Sequence, residues 1–416
     1  MIRANPVQRE WLNCCRFQLN YCIQSMRLNR PKPSQAAAVT RVVHAVQQWE
    51  SAKTKPEQLY WGQLSEAAVQ AVLATGKDNH LFEALDTLWE THPEAYERLA
   101  DCAENCVQSA SHEDGTVSLL IAVPVLTWSR NLLPLGKVDS PTIDSLKQAI
   151  RTHWLADGVS LHMGHTLYGP DDLPVGFVGT AKLATKHITQ ACMGKDTPHN
   201  RRTAAFDEEP FLSDCRFFLG VVSAKIGAPL FQAQLSATGE FDLAAQEAAW
   251  RSHAHAALNT LFIGCAFEVL QPEGYYEACR TAELDIRGYS LQASALMMMS
   301  SLELSADHIR AVIAACHSTE FEEYRISLMT KTSGDVLQGV SWPLLGRMET
   351  QEQMLEEIQA TLKTLGITRI RLIDHPLAMD YCDDCGTPLF PDLNAELVHP
   401  GSPDEDEHDA LKRVVH

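Results

Sequence analysis

The residues of this 416-residue chain with the most chemical potential lie near its C-terminus, in Tyr381-Cys382-Asp383-Asp384-Cys385-Gly386-Thr387-Pro388-Leu389. Two thiolates on a tight, glycine-relieved turn face one tetrahedral ion, which is the usual shape of a zinc knuckle. Zinc takes four N or S ligands, and this turn supplies half of them. The nearest histidines extend the pattern to His375-x6-Cys382-x2-Cys385-x13-His399, two thiolates and two imidazoles at unusual spacing. Alternatively, two chains each donate Cys382 and Cys385 to one shared site, which makes a homodimer. Asp383 and Asp384 favour a nearby cation, but they also raise thiol pKa values. The same charges disfavour a thioredoxin-type redox pair, which needs an electropositive setting. A turn without metal is the remaining reading.

Other groups carry less. His162 and His165 have an H-x-x-H spacing, yet on a strand they point to opposite faces. They converge only if the strand ends at Gly164, with His153, Asp171 or Asp172 as further ligands. His253 and His255 stand about 200° apart around a helix and cannot share a metal. The stretch from Gly164 holds Gly169, Gly176, Gly179, Thr180, Lys182 and Lys186 and runs on to Arg201-Arg202. Glycines beside lysines can build an anion pocket from backbone N–H groups. No G-x4-G-K-[ST] phosphate loop is present, so a Gly-rich surface loop is the simpler reading. The paired carboxylates Asp171-Asp172 and Glu208-Glu209 lack a partner base and read as solvated. Cys102-x3-Cys106 has helical spacing and reads as helix packing, and Met297-Met298-Met299 as core filling.

Composition limits the function classes. The net charge of −19 argues against nucleic-acid binding, which depends on phosphate neutralisation. That charge is unevenly spread: residues 380–416 hold ten acidic and two basic side chains, whereas residues 1–32 hold six basic side chains against Glu10. A basic face built from Arg9, Arg16 and Arg27 is the one feature that would favour nucleic acid. The longest strongly apolar run, Leu119 to Leu126, is far too short for a membrane span and contains Pro124. Neither a secretory pattern nor an extracellular cysteine framework is visible, so the expected compartment is the cytoplasm.

The elements that must carry these residues divide into four segments. Residues 1–112 read as short amphipathic helices, with stripes such as Val39, Val42, Val43, Val46, Trp49 and Leu81, Leu85, Leu88, Trp89. Residues 116–271 approximate βαββαβ, interrupted by a long loop at 164–210 and including a weak strand at Ile226 to Leu235. Residues 285–375 read as a second βαββαβ, with a strand at Tyr289 to Met298 and a helix capped by Ser305. Its half-buried strand alternates Tyr324, Ile326, Leu328 with Arg325, Ser327, Met329, and a Thr350-x-x-Gln353 capping box starts a helix. Residues 376–416 form the Cys-x-x-Cys knuckle and an acidic tail with no apolar content, expected to be disordered. The fold class is therefore α+β: a helical N-terminal region, two tandem ferredoxin-like units and a short metal-binding tail.

The helical start, the α/β body and the terminal Cys382-Asp383-Asp384-Cys385-Gly386-Thr387-Pro388-Leu389-Phe390-Pro391 together resemble an uncharacterised family of conserved hypothetical proteobacterial proteins. The resemblance implies a bacterial cytosolic protein and carries over no catalytic residue. The turn also resembles half of a zinc ribbon, from which the chain departs by lacking a second C-x-x-C. The absence of any nucleophile–base set favours a non-enzymatic regulatory or protein-interaction role, with the knuckle fixing the tail or a dimer. The alternative is an enzyme acting on an anionic small molecule, whose His162, His165, Lys182 or Lys186 must then line one cleft.

Overall fold

The computed structural model describes residues 33–129, 133–195, 212–232, 242–318, 321–332, 334–345, 349–384 and 386–401. The basic N-terminal segment, Arg201-Arg202, Glu208-Glu209, Cys385 and the acidic end of the tail lie outside the described residues. The described residues form two compact units, one of residues 33–195 with 215–282, the other of 212–214 and 283–401.

The first unit begins with four helices, α1 (Pro33–Ser51), α2 (Lys55–Leu73), α3 (Asn79–Thr91) and α4 (Pro93–Gln108). Each starts or stops on a local signal. Thr54 and Glu57 form a capping box on α2, and Pro93 opens α4 where its missing N–H costs nothing. Val42, Val46, Val69, Val72, Leu81, Leu85, Leu88 and Leu99 meet in one core beneath them. The strand pattern follows, with β1 (Ser109–Ser111), β2 (Thr116–Ser129), β3 (Gly136–Lys137), α5 (Ser140–His153) and β4 (Ser160–Tyr168). After these come α6 (Phe177–Met193), β5 (Leu212–Lys225), α7 (Leu243–Leu258), β6 (Ala266–Val269) and β7 (Glu273–Gly274).

The sheet runs β1-β2-β5-β4-β3, and one edge of β2 pairs in succession with β1, β7 and β6. Strand β5 therefore separates β2 from β4, the two strands that α5 connects. Ile143, Leu146 and Ile150 of α5 and Trp250, Ala254 and Leu258 of α7 pack with Ile121, Val123 and Val125 of β2 in a single core. Two sequence expectations fail here. Residues 177–193 of the loop expected at 164–210 are helix α6, whose buried Phe177, Thr180, Ala184, His187 and Ile188 follow a helical stripe. Its glycines act at the ends rather than along it, with Gly176 preceding the helix at φ +85° and Gly194 closing it at φ +63°. The weak strand from Ile226 is instead a turn through Gly227 at φ +86°, followed by Pro229.

Helix α8 (Tyr275–Ser301) supplies its first residues to this unit, and residues 283–301 belong to the second. The second unit continues with β8 (Ile309–His317), β9 (Phe321–Thr330), β10 (Gln338–Pro343), α9 (Gln351–Thr364) and β11 (Arg369–Leu372). Short strands β12 (Leu377–Ala378), β13 (Phe390–Pro391) and β14 (Leu397–Val398) complete it. The sheet order is β10-β9-β8-β11, a meander of three antiparallel strands with β11 added parallel to β8.

The expected βαββαβ order is thus corrected to αβββαβ. Residues 289–298 are helical because Leu291, Ala295, Met298 and Leu302 recur at helical steps and are buried. Met297 to Met299 lie on this helix. Residues 309–317 are a strand because both faces are buried. Ile309, Ala311 and Ile313 face the helices, while Val312 and Ala314 face away into a second cluster. A central strand of this kind is apolar throughout, so it also satisfies a helical template. The Thr350/Gln353 capping box forms as expected.

Phe390 sits in that second cluster and lies so close to Gly339 of β10 that any Cβ there would overlap its ring. Gly339→Ala is expected to destabilise the protein by about 1–3 kcal/mol in urea unfolding, the usual cost of overpacking. Gly401→Ala, with open space around the new carbon, serves as a near-neutral control.

Candidate functional site

The C-terminal motif folds as a closed hairpin. Tyr381 and Pro388 form an antiparallel bridge. The Cys382 amide donates to the Thr387 carbonyl at 2.8 Å, and the Gly386 amide donates back to the Cys382 carbonyl at 2.8 Å. Gly386 adopts φ +74°, the left-handed conformation that a side chain resists and glycine accepts. Below the turn, the Leu389 amide donates to the Asp380 carbonyl at 3.1 Å. Asp383 and Asp384 are exposed at the tip, and Cys382 is half-buried.

The base of the hairpin is held by Arg325 of β9, which is fully buried. Its Nη1 donates to the carbonyls of Asp380 and Leu389, both at 2.6 Å, one on each arm of the hairpin. Its Nε donates to Glu323 Oε1 at 2.7 Å, and its guanidinium lies 5.1 Å from the Tyr381 ring centroid. Two residues along the same face, Ser327 Oγ donates to the Pro391 carbonyl at 2.5 Å. Glu323, Arg325, Ser327 and Met329 alternate with the helix-facing Tyr324, Ile326 and Leu328, as strand geometry requires. The sequence reading took that face as solvent-exposed; the segment after β11 covers it instead. Burial pushes the Glu323 carboxyl up, against the pull of Arg325. Burial also pushes the Cys316 thiol up to about 12, although Arg325 opposes it.

Arg325 and Glu323 are the site residues that sequence reasoning missed. A signal was present: Phe390, Leu393 and Val398 follow the knuckle and needed an apolar surface to cover.

The predicted metal-site residues fall as follows. His375 Nδ1 lies 2.9 Å from Asp374 Oδ1, and His399 Nδ1 lies 2.8 Å from the Pro400 carbonyl. Both partners only accept, so Nδ1–H is the donor in each contact. Among the described residues, no three His, Cys, Asp or Glu side chains are grouped as metal ligands. Cys385 is not among them.

The residues proposed for anion chemistry are dispersed over α6 and β4. Asp78 reaches the start of α6, and its Oδ1 accepts from the Val178 amide at 2.7 Å. The Gly-rich segment therefore does bind an anion with backbone N–H groups, and that anion is the protein's own carboxylate. Burial pushes the Asp78 carboxyl up, opposed by the Val178 and Phe177 amides and by Lys182. His165 acts on Asp139, the N-cap of α5, while His162 acts on His187. Lys182 thus acts on Asp78 and His165 on Asp139, whereas Lys186 and His162 both act on His187. Asp172 caps its own turn by accepting from the Gly169 amide at 3.0 Å. Cys102 and Cys106 share a face of α4 with their thiols hydrogen-bonded to each other, which raises the pKa of Cys102.

His187 is buried against β4, with Nε2 3.5 Å from the Tyr168 hydroxyl. Burial, then Lys186 and His162, lower its pKa from 6.5 to about 4. The folded protein thus resists a proton that the unfolded chain accepts. Stability from this group is complete above pH 6.5 and is lost as pH falls toward 4. At 1.36 kcal/mol per unit the loss approaches about 3 kcal/mol. In His187→Gln, the drop in unfolding free energy over that pH window should be smaller than wild type by about this amount.

The hairpin anchor generates a second prediction. Arg325→Met leaves Glu323 buried without its partner and both hairpin arms without their donor, a loss of about 3–5 kcal/mol. Hydrogen exchange should show lost protection at the Cys382 and Gly386 amides. Arg325→Lys should rescue little, since one ammonium cannot hold both hairpin carbonyls and also make the separate Nε contact to Glu323.

No curated protein and no solved structure matches the chain. No described helix is long and apolar enough to cross a membrane. Residues 27–413 match a family described as Protein of unknown function (DUF2863), so a single family covers nearly all of the architecture above, and the chain belongs to it.

Proposed function

We propose that this protein is a cytoplasmic regulatory or protein-interaction protein whose C-terminal hairpin binds zinc. The observation that carries the reading is the hairpin itself. A turn closed by paired Cys382–Thr387 and Cys382–Gly386 backbone bonds, with glycine in the left-handed position, is the backbone a thiolate pair needs to face one ion. The buried guanidinium beneath makes it rigid, and preorganisation strengthens a metal site. Cys382 and Cys385 supply the thiolates. His375 and His399 complete an intrachain set through Nε2, since each already donates Nδ1–H to an oxygen as a metal-bound imidazole does. A second copy donating its own two thiolates is the other way to reach four ligands, and it makes the knuckle a dimer contact.

We further read the β2-α5-β4-β5-α7-β6 portion of the first unit as ferredoxin-like. Its support is the strand order, in which β5 splits the β2–β4 connection and β6 returns to pair with β2. Such a sheet serves small-molecule regulatory domains elsewhere, and that step is fold analogy. An enzyme acting on an anionic substrate is the weaker reading, because Lys182 and the amides of α6 already serve Asp78.

Native mass spectrometry on protein purified without chelator, beside Cys382→Ser/Cys385→Ser, tests the zinc reading. One zinc per chain, lost in the variant, is the outcome expected for the intrachain set. Half a zinc per chain with a dimer that dissociates in the variant selects the shared site. Equal metal content in both proteins ends the knuckle reading.

A further inference from the structure

Away from the hairpin, a second pair of metal-competent side chains meets in the first unit. His153 is the last residue of α5 and His253 lies within α7, the two helices that share one core over the sheet. Nε2 of His153 stands 3.3 Å from Nδ1 of His253, with the rings at 87° and their centroids 5.5 Å apart. That distance is just beyond the usual range of about 2.7–3.2 Å for N–H···O hydrogen bonds. It does match the edge of a tetrahedron, roughly 3.3–3.4 Å, whose centre lies about 2.0–2.1 Å from each nitrogen, the Zn–N bond length.

Independent features favour a cation at this point. The carboxyl end of α5 carries the negative pole of its helix dipole. The terminal carbonyls that fix the position of His153 are themselves held. Gln246 Nε2 donates to the His153 carbonyl at 2.5 Å, and Gln232 Nε2 donates to the Thr152 carbonyl at 3.2 Å. Beside the pair, Trp154 and Trp250 pack edge-on at 6.4 Å, which fixes the spacing of the two helices. His255, two residues on from His253, is engaged elsewhere, stacked on Phe267 at 4.3 Å.

We propose that His153 and His253 form a second metal site, a two-imidazole chelate for a borderline divalent transition ion of the zinc class, with water filling the other positions. The ion bridges α5 to α7 and so fastens the helical layer over the sheet. No third protein ligand joins the pair among the described residues, so binding is weaker than at a four-ligand structural site.

The test uses the full chain without a histidine tag, stripped with chelator, in the Cys382→Ser/Cys385→Ser background so that the hairpin cannot contribute. Zinc chloride titrated by calorimetry should bind at one ion per chain. His253→Gln should weaken that binding at least tenfold, while His255→Gln should leave it unchanged. Long-range imidazole nitrogen spectra should show the His253 Nδ1 and His153 Nε2 signals shifting on zinc addition. His253→Gln leaves His153 and its backbone contacts in place, and circular dichroism checks its fold. No saturable binding in the Cys→Ser background, or binding indifferent to His253→Gln, overturns the proposal. Either result leaves the hairpin reading untouched, since its thiols are absent throughout.

Discussion

A guanidinium taken out of water must be met by acceptors on all sides, and Arg325 is met largely by a segment more than fifty residues further along the chain. Its position on β9 gives the second face of that sheet a charge that a purely apolar cover cannot satisfy. The cover that forms is therefore a composite. Carbonyl oxygens of Asp380, Leu389 and Pro391 meet Arg325 and Ser327, while Phe390 fills the apolar space beside them. Glu323 balances the charge at the cost of its own desolvation. Without the cover, Glu323, Arg325 and Ser327 would suit a solvated face, and β9 would be an ordinary one-sided strand. The C-terminal segment is thus part of the smaller unit's core rather than an appendage.

The same requirement operates at the start of α6. The free N–H groups of a helix N-terminus attract an anion, and Gly176 leaves no Cβ in the way of the carboxylate that arrives. Asp78 fills that role from the segment between α2 and α3 and ties the N-terminal helices to α6. An external anion at this point would have to displace a covalently tethered competitor, whose effective concentration is high.

Local signals in the sequence were reliable in the N-terminal helices and at marked caps and turns. The helices of residues 33–108, the Thr350/Gln353 capping box and the β9–β10 hairpin all follow from periodicity and caps. Errors arose where burial was two-sided, where glycine was weighed by number rather than position, and at residues 289–298, where the helical stripe of α8 was taken for a strand. Residues 309–317 are apolar on both faces, so alternation disappears and a helical template fits by default. Residues 177–193 carry a clear helical stripe, but Gly176, Gly179 and two lysines suggested a loop. The knuckle was legible as a turn because C-x-x-C-G is a local pattern. Its anchor was not, because nothing in the order Glu323-Tyr324-Arg325 says which distant carbonyls will meet the guanidinium. The pairing of His153 with His253 was invisible for the same reason, being a contact between two helices a hundred residues apart.

The way the hairpin is held bears on what its tip can do. Arg325 and Ser327 grip it through main-chain carbonyls, and the turn closes through main-chain bonds at Cys382, Gly386 and Thr387. Backbone groups are present whatever the side chains are. Among the described tip residues, Gly386 is the one that the backbone path requires, through its positive φ. Asp383 and Asp384 are exposed. Fold and tip chemistry are consequently separable: the base sets position, and the tip residues can vary without loosening it. A chain that only needed to end its sheet could have done so with a plain apolar strap. The combination of a buried charge at the base and a sulfur-bearing acidic turn at the tip sets the hairpin apart from such a strap.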